Sequence, residues 1–119
     1  ALNKKKIPYM EIKIKNINYE RKVTMAKGYL VGHILVHDKA GYEKFKEMSG
    51  PVISEYGGKV LVRNPNPEIR EGKESGIAIV IEFESMNNAR EFYESEKYTS
   101  ARDVRERAAK TDLILVEGI

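Results

Sequence analysis

Apolar and polar positions change rhythm several times after Lys27, and each change marks an element. Gly28-Tyr-Leu-Val-Gly-His-Ile-Leu-Val36 is a mostly apolar, β-branched run of strand length. Asp38 suits a helix N-cap, and Tyr42, Phe45, Met48 or Ser49, Val52, Ile53 and Tyr56 then recur at helical spacing, giving one apolar face. Pro51 falls inside that pattern and removes an amide, so a kink or a two-part helix is expected. Gly57-Gly58 ends the helix. Lys59-Val-Leu-Val-Arg63 reads as a second strand, closed by Asn64-Pro-Asn-Pro67, and residues 68–75 as a polar connection. Gly76-Ile-Ala-Ile-Val-Ile-Glu-Phe83 is the third strand and the most apolar. Ser85 caps a helix through Met86, Ala89, Phe92 and Tyr93. Ser95-Glu96-Lys97 predicts a break before a further helix from Tyr98 to Ala109, and Asp112-Leu-Ile-Leu-Val-Glu117 is the last strand.

The order β-α-β-β-α-β is the split βαβ, or ferredoxin-like, arrangement of the α+β class. Right-handed crossovers place the third strand between the first and second, which gives an antiparallel sheet of order 4-1-3-2 with helices on one face. The opposite face then carries Tyr29, Val31, Leu61, Val80 and Ile114 or their neighbours. An apolar face of that size is rarely left wet in a monomer, so a face-to-face homodimer is expected.

Charge changes this picture at the N-terminus. Residues 1–25 hold seven Lys/Arg against Glu11 and Glu20, a local net of +5, while the remaining residues hold 14 basic and 16 acidic side chains, a net of −2. The basic character therefore belongs to residues 1–25 and not to the domain at 26–119. A nucleic-acid partner, which calls for positive charge on the folded surface, is not expected. Residues 1–25 read as an extension. Glu11-Ile-Lys-Ile-Lys15 alternates like an added edge strand or arm. Alternatively, Glu20-Arg-Lys-Val23 ahead of Met25 can be encoded by a purine-rich stretch like a ribosome-binding site, which would make residues 1–24 a translated leader. Cysteine is absent, so disulfides and thiolate chemistry are excluded. No apolar run approaches the roughly 18–20 residues that span a bilayer, and Lys4-Lys-Lys6 leads into mixed polar sequence, so no membrane partner and a cytoplasmic location are expected.

Several of these segments carry a resemblance. Gly28-Tyr-Leu-Val-Gly-His33, Tyr56-Gly-Gly-Lys-Val-Leu-Val-Arg63, Val80-Ile-Glu-Phe83 and Leu113-Ile-Leu-Val-Glu-Gly118, with Ala89, Tyr93, Ser95, Tyr98, Ala101 and Arg105, resemble domain-of-unknown-function family 1330, within the dimeric α+β barrel superfamily. The resemblance covers about residues 26–118 and implies the fold and a dimer. The family has no established activity, so the resemblance implies no catalytic residue and leaves open whether the chain is an enzyme.

The residues themselves offer little catalytic chemistry. His33 and His37 lie four residues apart, which on a strand separates them by about 13 Å, and no carboxylate cluster supports them as metal ligands. Gly57-Gly58 precedes a strand and not a helix, so it is no phosphate cradle. No serine stands in a nucleophile elbow. The central strands offer aromatics only at Tyr29 and Phe83, short of an RNA-stacking platform. No cofactor is expected. A small, anionic ligand remains, set against a non-catalytic structural or interaction dimer module. Strand alternation puts His33, Arg63 and Glu82 on the face away from the helices, with Ala78 beside both His33 and Arg63. Those two would then lie roughly 9–10 Å apart between backbones and could hold an anion between them, with Tyr98 or Arg105 reaching in from the last helix. Glu82 falls nearer Tyr29. The competing reading is that Arg63 pairs with a carboxylate across the dimer and His33 merely packs.

Overall fold

A computed structural model describes residues 26–73 and 76–119. The extension predicted at residues 1–25 lies outside the described residues. The elements are β1 (Gly28–Val36), α1 (Lys39–Glu55), β2 (Lys59–Asn64), β3 (Ile77–Phe83), α2 (Met86–Glu94), α3 (Glu96–Glu106) and β4 (Ala109–Glu117). The strands form one sheet of order β2-β3-β1-β4 with every neighbouring pair antiparallel, the expected ferredoxin-like topology.

Local chemistry sets the helix ends. The Asp38 carboxylate accepts from the Gly41 N–H at 3.2 Å. Gly57, at φ 74°, closes α1 as its amide donates to the Ser54 carbonyl while Gly58 donates to that of Ile53. Of the kink or two-part helix expected at Pro51, the two-part helix does not occur: α1 runs as one element through this exposed residue. Ser95 serves two helices: its hydroxyl donates to the Phe92 carbonyl at 2.8 Å and accepts from the Tyr98 N–H at 3.1 Å. The last strand starts at Ala109, earlier than Asp112, and the helix before it ends at Glu106. Ala109, Lys110 and Thr111 pair with Val36, Leu35 and Ile34, and the polar side chains of Lys110 and Thr111 hide the start of the strand from an apolar pattern.

Alternation along β1 and β3 turns Leu30, Ile34, Ile79, Ile81 and Phe83 toward the helices, where they pack on Phe45, Val52 and Ile53 of α1, Phe92 of α2 and Tyr98 of α3. Phe83 and Phe92 are the largest fully buried side chains, with ring centroids 5.0 Å apart. Each aromatic buried in this way contributes roughly 1.5–3 kcal/mol. The other sheet face is open, with Ile114 at 56% exposure, Leu35 at 42% and Val62 at 39%.

Strand β2 departs from simple alternation. Val60 lies opposite Ile81 and Val62 opposite Val80, so Leu61 is an extra residue, a β-bulge. The bulge reverses side-chain parity beyond it. Arg63 pairs with Ile79, a helix-face residue, where uninterrupted alternation would have put it beside Ala78. The expectation that His33 and Arg63 share a face is therefore incorrect: His33 stays opposite Ala78 and Asp112 on the outer face, and Arg63 joins the helix side.

Candidate functional site

Helix α3 places Tyr98 and Arg105 two turns apart on its inward face. Arg105 is only 3% exposed, yet no carboxylate among the described residues lies within ion-pair distance of it. Its Nη1 donates to the Tyr98 hydroxyl at 2.6 Å, and its guanidinium carbon lies 5.2 Å from the Phe45 ring centroid. The Nε–H is buried without an acceptor. Removing a cation from water costs several kcal/mol when no opposite charge meets it, and a phenol and an aromatic face offset only part of that. Burial raises the pKa of Tyr98, and Arg105 pulls it partly back. The phenol is thus neutral at physiological pH, and with its oxygen taken up by Arg105 its own proton is left to donate.

These groups stand on the wall of a pocket between the sheet and the helices, with a cavity volume of about 40 Å³. That is room for a few ordered waters or one carboxylate group, and well below the roughly 150 Å³ that holds a benzene ring. Leu30, Ile34, Ile79 and Ile81 form much of the apolar sheet floor. Gly32 adds bare backbone there, and a Cβ at this position would sit 2.6 Å from the Asp112 carbonyl oxygen. Thr111 contributes a hydroxyl that is buried without a partner. Arg63 and Lys46 also line the pocket, whereas no Asp, Glu or His does so among the described residues. Burial raises the pKa of the Tyr42 phenol, with Arg63, Lys46 and Arg105 all acting to lower it, so the three cations converge on one side chain.

Of the sequence candidates, Arg63, Tyr98 and Arg105 come together in this pocket, while His33 and Glu82 do not. On the outer face His33 Nε2 lies 3.6 Å from an Asp112 carboxylate oxygen, and Tyr29 donates to Glu82 at 3.0 Å. Sequence reasoning did not single out Lys46 or Thr111, and took Tyr42 and Ser49 only as parts of a core stripe. Lys46 follows Tyr42 by one helical turn, and that spacing was the available signal. Among the described residues no three His, Cys, Asp or Glu side chains gather as a metal site, and no helix is long and apolar enough to cross a membrane.

The profile of a family described as a domain of unknown function, DUF1330, matches residues 27–119. A search of curated proteins finds no match. Among solved structures, a protein of unknown function from Rhodopseudomonas palustris superposes with a TM-score of 0.67 at 17% identity, over 88% of this chain and 93% of that one. SnoaB, a cofactor-independent oxygenase from Streptomyces nogalater, superposes with a TM-score of 0.56 at 11% identity, over 79% and 94%. A dimeric protein of unknown function and ferredoxin-like fold from Bacteroides fragilis gives 0.54 at 11%, over 77% and 96%. At such identities these likenesses establish the fold and nothing finer.

Proposed function

The chain belongs to the DUF1330 family, and from that premise we propose that it is a homodimeric ferredoxin-like protein that binds the carboxylate group of a small organic anion between its sheet and helices. One observation carries this reading: Arg105 is buried on the wall of an apolar pocket with no carboxylate among the described residues to neutralise it. A bound carboxylate would supply the missing charge, accept from the unpartnered Nε–H and from Tyr98, and convert a costly burial into a charge-assisted contact. Among the described residues the lining has phenols and hydroxyls but no carboxylate or imidazole, and so no ordinary general base. That supports holding a ligand over proton abstraction. Likeness of fold to a cofactor-independent oxygenase is compatible with a pocket for organic molecules and assigns no reaction. The dimer is supported by the open apolar sheet face and by the dimeric neighbour of the same fold.

The test is titration with formate and with acetate, followed by chemical-shift changes around Tyr42, Tyr98 and Thr111 and by thermal stability. Arg105→Met keeps length and removes the charge. The variant is expected to lose affinity for both probes at least tenfold, as charge-assisted bonds of about 1.5–3 kcal/mol disappear, and to fold at least as stably without ligand. A variant that binds as the parent does, or a parent that binds neither probe, would refute the reading.

A further inference from the structure

The inner pocket has room for a head group and little else, but the space beside it is larger. A cleft of about 430 Å³ opens there, walled by Tyr42 and Lys46 of α1 and floored by Val36 and Ile77 of the sheet. The two spaces share Tyr42 and Lys46, which lie one helical turn apart. Their floors also join. On β1, Ile34 lines the pocket and Val36 the cleft; on β3, Ile79 lines the pocket and Ile77 the cleft. Residues two apart on a strand point to one face, roughly 6.6 Å from each other. Ile34 also stands directly opposite Ile77 in the register, so pocket floor and cleft floor meet between neighbouring side chains. The cleft is thus the outward continuation of one gap between the sheet and α1. Its bed is apolar, with Val36 and Ile77 packed partly buried against the core, while His37, Lys39 and Glu43 on its rim are exposed.

We infer that this cleft holds the apolar body of the ligand whose carboxylate enters the inner pocket, so that the whole site takes a monocarboxylic acid with a short hydrocarbon chain. This deepens the carboxylate-binding reading and rests on it. Size sets the orientation. About 40 Å³ admits the carboxylate and excludes the chain, whereas about 430 Å³ falls within the roughly 300–1,000 Å³ usual for small-molecule sites. Charge sets the same orientation. Lys46, at the junction, is engaged by the Glu43 carboxylate at 3.1 Å. Arg63 and Arg105, with no carboxylate within ion-pair distance among the described residues, line the inner pocket and not the cleft. An anionic head is therefore drawn inward, and the chain is left to lie on Val36 and Ile77.

The experiment is calorimetric titration of the full chain with acetate and with hexanoate, paired with methyl chemical shifts. Each methylene taken fully from water is worth about fourfold in affinity. Hexanoate, with its longer chain, should therefore bind at least tenfold more tightly than acetate even though the cleft is open on one side. The methyl signals of Val36 and Ile77 should move with hexanoate and stay still with acetate. Ile77→Thr keeps a β-branched residue in the strand, and should bring hexanoate affinity down toward that of acetate while leaving acetate unchanged. Arg105→Met should weaken both acids. Hexanoate binding no tighter than acetate, or binding tighter with the Val36 and Ile77 signals unmoved, would overturn the cleft and leave the carboxylate pocket standing. Binding of neither acid to the parent chain would overturn both.

Discussion

Tyr98 occupies a position where three physical demands meet. Its ring packs on Phe92 with centroids 4.5 Å apart, its oxygen accepts from Arg105, and burial opposes its ionisation. A phenol whose folded pKa stands above its ordinary 10.0 binds its proton more tightly when folded. Its contribution to stability is complete below the ordinary value and is lost as pH rises through the raised one. Urea midpoints measured across the alkaline range should therefore fall above about pH 10, and Tyr98→Phe should flatten part of that fall. Tyr42, raised by its own burial, would retain a share. An unchanged slope would place the alkaline loss elsewhere. At neutral pH the same variant should cost about 1–3 kcal/mol, because Arg105 loses a hydrogen-bond partner in a buried setting. Tyr98 and Arg105 were legible as candidates, since both belong to the segment that carries the family resemblance. Their shared pocket was not, because the absence of a carboxylate around a guanidinium is a property of packing and leaves no trace in the order of residues.

At the scale of elements, the two short helices hang on one hydroxyl. Replacing Ser95 by Ala should destabilise the fold by about 1–2 kcal/mol, since the start of α3 loses its cap and the end of α2 a donor. Ser95→Asp, which still caps α3, should recover most of the loss in urea unfolding. A loss below a few tenths would mean that solvent replaces the cap. The strands and two of the caps were readable because each leaves a local mark: alternation in β1 and β3, Asp38 and Ser85 at helix starts, Gly57 at a helix end; Ser95 was read as part of a break before Tyr98, although the helix it caps begins at Glu96. The bulge in β2 leaves none. Lys59-Val-Leu-Val-Arg63 contains no glycine and reads as a short apolar run between two cations, so only the register with β3 reveals that Leu61 is supernumerary. That single residue accounts for the misplacement of Arg63.

The whole molecule separates two surfaces of unlike character. Inside, Arg63 and Arg105 have no carboxylate within ion-pair distance among the described residues; outside, His33 meets Asp112 and Tyr29 meets Glu82 among apolar neighbours. A homodimer would cover Leu35, Val62 and Ile114, and sedimentation at micromolar concentration should give about twice the monomer mass. Ile114→Lys, at the most exposed of the three, should shift the protein toward monomer while leaving the helix-side pocket able to bind. A parent chain that sediments as a clean monomer would remove the dimer. The extra residue in β2 has a consequence for descent as well. Because direction alternates along a strand, gain or loss of one codon near Leu61 carries the Arg63 cation from one compartment to the other in a single step, with no intermediate substitution. Lineages of this family that differ by one residue in the length of this edge strand would then differ in what they recognise, and strand length would record that divergence better than residue identity.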